Sequence, residues 1–90
     1  MKSIEISVYG MVQGVGFRWF TQSTAQQHDI VGWVSNQPDG SVKIQAQGEE
    51  SDLSIFLTIL KQGSGFYSRV DKITTTPISE FVASNFAIRR

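Results

Sequence analysis

The sequence contains no cysteine, and neither sign of charge is in excess. Without cysteine the chain forms no disulfide, has no thiol chemistry and offers no cysteine ligand to a metal. Its eight basic and eight acidic side chains cancel, so it lacks the broad basic field that nucleic-acid binding usually requires. It also lacks a long apolar run, and we expect neither a signal peptide nor a membrane span. These absences favour a soluble, cytoplasmic monomer.

What is present is the composition of an ordinary globular domain. Of the 90 residues, 40% are hydrophobic, with six Phe and two Trp among them. A chain of this length has room for one hydrophobic core. We therefore expect a single domain over residues 1–90.

A strand, a glycine-containing turn and a helix are predicted in succession near the start of the chain. Isoleucine and valine alternate with other side chains over residues 4–9, which is the period of a half-buried strand. A helix then runs from near Phe17 to about Asp29, with Phe and Thr side chains at helical spacing along one side. Gly14 and Gly16 lie between the two elements.

This glycine turn is typical of a phosphate-binding site. Glycine permits unusual φ values and has no Cβ, so backbone N–H groups can converge on a ligand. The first N–H groups of the following helix have no partner within the helix and carry the positive end of its dipole. Arg18, in the first helical turn, adds a planar, permanently charged group that suits an oxyanion. We interpret the stretch as a phosphate holder.

Two other phosphate motifs share the glycine spacing, and neither fits. A dinucleotide fingerprint requires Gly or Ala three residues after Gly16, where Trp19 stands. A Walker loop requires Gly-Lys-Ser/Thr, which the sequence does not contain. The remaining alternative is that the two glycines only permit a tight connection between strand and helix.

A hairpin and a second helix follow. Strands are predicted over residues 31–35 and 41–47, joined by the turn signal Gln37–Gly40. Acidic residues within 49–52 begin the second helix, where they interact favourably with the positive end of the helix dipole. Leu and Phe side chains at helical spacing over residues 53–60 are assigned to the core.

Two further strands complete the chain. A fourth strand is predicted over residues 70–76 and ends at Pro77, because proline cannot donate a hydrogen bond to the sheet. Val70 and Ile73 fall on opposite sides of this strand, which indicates either a bulge or an irregular start. A short fifth strand is predicted around residues 86–88.

This order predicts an α+β fold, an α/β sandwich of the ferredoxin-like split β-α-β-β-α-β type. It has an antiparallel sheet with two helices on one face and a short fifth strand. In this topology the first strand neighbours the third, and the third pairs with the second. The loop after the first strand and the end of the second therefore open on the same edge of the sheet. We expect Arg18 and Asn36, which follows the second strand, to lie within side-chain reach.

The loop Val12–Arg18 resembles the signature loop of the acylphosphatases, small enzymes that hydrolyse carboxyl–phosphate anhydrides. Asn36 stands at the spacing of that family, and the similarity continues in register over residues 32–36, 38–42, 46–48 and 86–89. The resemblance implies that Arg18 and Asn36 are catalytic, the arginine binding phosphate and the asparagine positioning water, with no metal or other cofactor. The phosphate-binding residues that it implies are Gln13, Gly14, Val15, Gly16, Phe17 and Arg18.

The chemistry of an acyl phosphate agrees with these residues. Its leaving group is a carboxylate with a pKa of about 4, so it departs without a general acid. The phosphorus must be held, neutralised and exposed to an in-line water. Asn36 carries an amide that both donates and accepts, which suits it to orient that water. We expect a small-molecule acyl phosphate as substrate, inorganic phosphate as product and inhibitor, and neither nucleic acid nor membrane as a partner.

Two alternatives are carried forward. RNA-recognition modules share the β-α-β-β-α-β order and bind single strands on sheet aromatics, although residues 41–47 contain no aromatic side chain. The same acylphosphatase-like module occurs at the start of larger carbamoyl-transferring maturation proteins, which handle carbamoyl phosphate. Because no further domain follows here, we expect the free-standing enzyme.

Two positions depart from the family pattern. Met11 and Ser35 stand where family members often carry a basic residue. Both differences remove positive charge from the surroundings of a dianion. We therefore expect weaker substrate affinity with unchanged chemistry.

Overall fold

The computed structural model describes residues 1–65 and 68–90. The elements follow the predicted order, and their ends differ from the predicted ones by no more than two residues. Over the described ranges, no helix has the length and apolar character needed to cross a membrane. The elements are β1 (Lys2–Met11), α1 (Phe17–Gln27), β2 (Val31–Asn36), β3 (Val42–Gly48), α2 (Glu50–Gln62), β4 (Arg69–Pro77) and β5 (Phe86–Arg89).

The strands form one five-stranded sheet in the order β4-β1-β3-β2-β5. The predicted neighbours are confirmed: β1 pairs with β3, and β3 pairs with β2, both antiparallel. The fifth strand differs from its neighbours, because β5 lies parallel to β2. The sheet is therefore mixed, with an antiparallel part of four strands, β1 to β4, and one parallel edge.

The path of the chain before β5 explains this parallel edge. β4 ends at the side of the sheet where β2 begins, so the chain crosses the sheet there and enters β5 alongside the start of β2. The side-chain amide of Gln47 on β3 fixes the crossing segment, accepting a hydrogen bond from the Phe81 N–H and donating one to the Phe81 carbonyl, each 2.9 Å long. β5 therefore ends where β1 and β2 end, at the opposite end of the strands.

Both helices contribute to one hydrophobic core against the sheet. The alternating side chains of β1 and β3 behave as predicted, since Ile6, Val8 and Ile44 are fully buried. Phe56 on α2 packs edge-on against Phe86 on β5, with ring centroids 6.2 Å apart. The core thus holds α1 and α2 against the sheet, including the strands β1, β2 and β5 that end on the same side.

The bulge predicted from Val70 and Ile73 is confirmed. Tyr9 pairs with Lys72, whereas the next residue of β1, Gly10, pairs with Val70, so β4 contains one extra residue at this point. The bulge sets the last pair of the ladder, in which Met11 lies opposite Arg69.

Candidate active site

The loop between β1 and α1 has the backbone conformation that its glycines predict. Gly14 and Gly16 have φ angles of 74° and 80°, in the left-handed region that other residues rarely adopt. Gly16 precedes the first residue of α1, and within the described part of the chain no side chain caps this helix end. The first turn also has no acidic residue. The positive end of the α1 dipole therefore faces the loop without a compensating charge.

The side chain of Gln13 ties this loop to the turn between β2 and β3. Its Nε2 donates hydrogen bonds of 2.8 Å to the carbonyl oxygens of Gln37 and Ser41. These two bonds occupy both N–H donors of the Gln13 side-chain amide. Only the backbone N–H of Gln13 is then available to a phosphate. The sequence pattern gave no signal for this tether, because both partners lie more than twenty positions away.

The turn that receives the tether is itself strongly hydrogen-bonded. The Asp39 carboxylate accepts a bond from the Ser41 hydroxyl (2.6 Å) and another from the Ser41 N–H (2.9 Å). These two bonds lower the pKa of the Asp39 carboxyl below its ordinary value. The Gln37 N–H donates to the Ser41 carbonyl at 2.8 Å. The turn thus fixes the end of β2, where Asn36 pairs with Val42.

Asn36 has an unusual buried atom. Among the described residues, its Oδ1 is the one buried side-chain oxygen or nitrogen that has no hydrogen-bond partner. A buried polar atom without a partner costs about 1–3 kcal/mol, and native proteins rarely keep one without a reason. An atom in this position is suited to accept a hydrogen bond from a bound molecule.

Arg18 reaches from the first turn of α1 to the end of β5. Its Nη1 donates to the carbonyl oxygen of Arg89 at 3.2 Å. A guanidinium has several further N–H donors on a rigid plane. The bond therefore orients the group while most of its donors remain for an anion.

Arg18 and Asn36 line the same cavity of about 180 Å³, so the expected proximity of the two residues is confirmed. Gly14, Gly16 and Phe17 of the loop contribute to it, whereas Gln13 and Val15 are not in its lining. Sequence reasoning missed three contributors, which are Val12, Trp19 and Ile88. Ile88 had no detectable signal, because its role depends on β5 lying beside β2.

The arrangement can bind a small tetrahedral anion and hold a water next to it. Positive potential comes from the Arg18 guanidinium and from the start of α1. The Asn36 amide supplies an acceptor on one side of the cavity. Across residues 1–65 and 68–90, no group of three or more His, Asp or Glu side chains could hold a metal ion.

This chain is similar to known acylphosphatases over nearly its whole length. The Acylphosphatase family model matches residues 4–88. An acylphosphatase of Leuconostoc mesenteroides is 68% identical over 89 residues, covering 99% of both chains. The crystal structure of acylphosphatase from Bacillus subtilis covers 100% of both chains at 42% identity, with a TM-score of 0.95. Full-length HypF, in a phosphate- and nucleotide-bound crystal structure, matches 99% of this chain at 30% identity and TM-score 0.92, but the match spans only 12% of HypF.

Proposed function

The chain belongs to the acylphosphatase family and hydrolyses acyl phosphates, and we propose that the Gln13–Arg18 loop binds the phosphoryl group while Asn36 orients the attacking water. One observation carries this proposal. The Arg18 guanidinium and the buried, unpartnered Asn36 Oδ1 belong to residues that line the same small cavity beside the glycine loop.

In the proposed ground state, the phosphoryl oxygens accept hydrogen bonds from the backbone N–H groups of Gln13, Gly14, Val15, Gly16, Phe17 and Arg18 and from the Arg18 side chain. The left-handed glycines support this, because they turn the backbone so that successive N–H groups converge. Arg18 is already oriented by the Arg89 carbonyl, so little side-chain entropy is lost on binding. The result is a preorganised positive site for a dianion.

The proposed chemical step is an in-line displacement at phosphorus. A water held by Asn36 Oδ1 forms the new P–O bond, and the bond from phosphorus to the acyl oxygen breaks. The electron pair of that bond leaves on the carboxylate, which is stable without a proton because its pKa is about 4. The proton of the water passes to a phosphate oxygen. Asn36 therefore acts on the transition state more than on substrate binding.

The exposed face of the sheet supports the RNA-binding alternative less well than the cavity supports the enzyme. On the face away from the helices, β3 carries Lys43, Gln45 and Gln47, and Gln47 is already bonded to the segment that crosses this face. The Trp33 ring is covered by the Arg89 guanidinium, 4.7 Å from its centroid. A base-stacking surface needs accessible aromatic rings. The maturation-module alternative rests on matches to two HypF structures, and each match spans 12% of the HypF chain.

Two further features belong to the proposal. Inorganic phosphate, as the product, should occupy the loop and inhibit competitively. A monomeric state is the second feature, and it stays a prediction. A cytoplasmic location stays a prediction.

The test is hydrolysis of acetyl phosphate and benzoyl phosphate, with EDTA present, by the natural protein and three variants. Arg18→Ala should lower kcat/KM by about 10²–10³ or more and abolish phosphate inhibition. Asn36→Ala should lower kcat far more than it changes KM, with phosphate inhibition retained. Asn85→Ala, a change of an exposed asparagine outside the cavity, is the matched control and should leave both constants unchanged.

Full activity of a folded Arg18→Ala protein, checked by circular dichroism, would contradict the phosphate-binding role. Loss of phosphate inhibition in Asn36→Ala with turnover retained would exchange the roles of the two residues.

A further inference from the structure

A second concavity lies next to the phosphate cavity. It is a groove of about 440 Å³ between the start of α1 and the turn that follows α2, and it shares Gly16 and Trp19 with the cavity. The remaining lining comes from Val15, Phe20 and the turn of residues 63–65. The two spaces therefore adjoin each other at Gly16 and Trp19.

The groove differs chemically from the cavity. Among the described residues, its lining has no charged side chain, and it consists of Val15, two aromatic residues, Ser64 and glycines. Trp19 is 67% exposed although it is the largest of these side chains. Phe20 packs against Phe17 of the core, with ring centroids 5.8 Å apart, so the core supports one wall of the groove.

The sizes of the two spaces suggest how a substrate divides between them. The phosphate cavity, at about 180 Å³, is below the roughly 300–1,000 Å³ of pockets that enclose a whole small ligand. A phosphoryl group on the loop therefore leaves its acyl group outside the cavity. The groove is the adjoining space, because Gly16 and Trp19 line both it and the cavity.

We propose that this groove binds the acyl group and that Trp19 makes the enzyme prefer acyl phosphates with an apolar chain or ring over acetyl phosphate. The inference rests on the proposed function, because it requires the phosphoryl group on the Gln13–Arg18 loop. An apolar acyl group gains by leaving water, and a flat ring gains further by offset or edge contact with the indole. Acetyl phosphate offers only one methyl group to the apolar lining of the groove and gains less from it.

The test compares kcat/KM for benzoyl phosphate and acetyl phosphate, because the two share the phosphoryl group and differ only in the acyl group. In Trp19→Ala the ratio of the two constants, benzoyl over acetyl, should fall by about tenfold. Trp19→Phe keeps a ring and should restore most of the ratio. Ile55→Ala removes another exposed apolar side chain, on α2 outside the groove, and should leave the ratio unchanged.

Product inhibition gives a second measurement that does not depend on the chemical step. Benzoate should inhibit the natural protein more strongly than acetate does, and Trp19→Ala should remove the difference. A ratio that stays the same in Trp19→Ala, or an equal fall for both substrates, would overturn the acyl-group assignment and leave the phosphate site intact. Failure of the natural protein to hydrolyse either substrate would instead contradict the proposed function itself.

Discussion

Gly16 and Gly32 both have positive φ angles, but the structure requires glycine at the two positions for different reasons. A Cβ built on Gly16 meets no atom within 4 Å, so only the backbone conformation, with φ of 80°, disfavours other residues. A Cβ built on Gly32 would lie 1.8 Å from the carbonyl oxygen of Gln45 on the neighbouring strand. Gly16 is thus required by the loop conformation, whereas Gly32 is required by the close contact between the backbones of β2 and β3.

We predict that Gly16→Ala and Gly32→Ala separate these two requirements. Gly16→Ala should lower the free energy of unfolding by about 1–2 kcal/mol, the cost of a left-handed conformation. It should also raise KM, because Gly16 lines the phosphate cavity and strain at this position would disturb the loop conformation. Gly32→Ala should cost more, since overpacking of about 1–3 kcal/mol or more adds to the backbone strain.

Urea denaturation of both variants, with KM for acetyl phosphate, would measure these effects. Equal stability of the two proteins would show that the sheet gives way at Gly32 without cost, contrary to the backbone contact with Gln45.

Among the structural elements, the glycine loop and the β2–β3 turn behave as one unit. Gln13 joins them through two hydrogen bonds, and the turn in turn carries Asn36 at the end of β2. One side chain therefore holds the proposed phosphate-binding loop in register with Asn36, the residue proposed to orient water. We infer that Gln13 acts as a positioning residue in addition to its proposed role as a backbone donor.

We predict that Gln13→Ala lowers both stability and kcat while every backbone N–H of the loop is kept. Two lost hydrogen bonds should reduce the free energy of unfolding by about 1–3 kcal/mol. Gln13→Glu has the same length but offers no donor to the two carbonyl oxygens, so it should be at least as damaging. Gln27→Ala, an exposed glutamine at the end of α1, is the matched control.

Urea denaturation and steady-state kinetics would follow these variants. A Gln13→Ala protein that loses stability but keeps its kcat would show that the tether supports the fold without aligning the loop and Asn36.

Charge over the entire surface sums to zero, so attraction of the substrate depends on where the cations lie. Ser35 is flanked in register by Lys43 on β3 and Arg89 on β5, which supply positive charge on both sides of it. Met11 lies opposite Arg69, but Arg69 is bonded to Asp71 at 2.9 Å. This bond raises the pKa of Arg69 and offsets its charge. Of the two departures from the family pattern, Met11 is therefore the one without a compensating cation.

We predict that Met11→Arg lowers KM for acyl phosphates at low ionic strength. Met11 is 54% exposed, so it is not a core residue and its replacement should disturb packing little. A partly exposed charge near the loop should contribute about 0.5–1 kcal/mol, which is a few-fold change in KM. The gain should shrink as salt rises, with kcat nearly unchanged, because the charge attracts ground and transition states alike.

Met11→Gln is the control, since it removes the methionine without adding charge. KM and melting temperature would be measured for the three proteins at two salt concentrations. An unchanged KM in Met11→Arg at low salt, together with a lower melting temperature in both variants, would assign Met11 to packing and end the electrostatic explanation.

The order of elements was readable from the chain because it depends on neighbours a few residues apart. The alternation over residues 4–9 and the helical spacing over residues 53–60 follow from the geometry of strands and helices. The split topology that follows from this order is enough to place Arg18 near Asn36. The likeness of the Val12–Arg18 loop to the acylphosphatases, and not its periodicity, supplied the chemistry.

Contacts between distant parts of the chain required the folded structure. The parallel placement of β5, the Arg18 bond to the Arg89 carbonyl and the two bonds of Gln13 join atoms far apart in sequence. No local pattern records such pairs, because each depends on how several elements pack together. The same holds for the buried Asn36 Oδ1 and for the groove beside Trp19. Burial and cavity shape arise only when the strand ends, the loop and the turn after α2 meet in space.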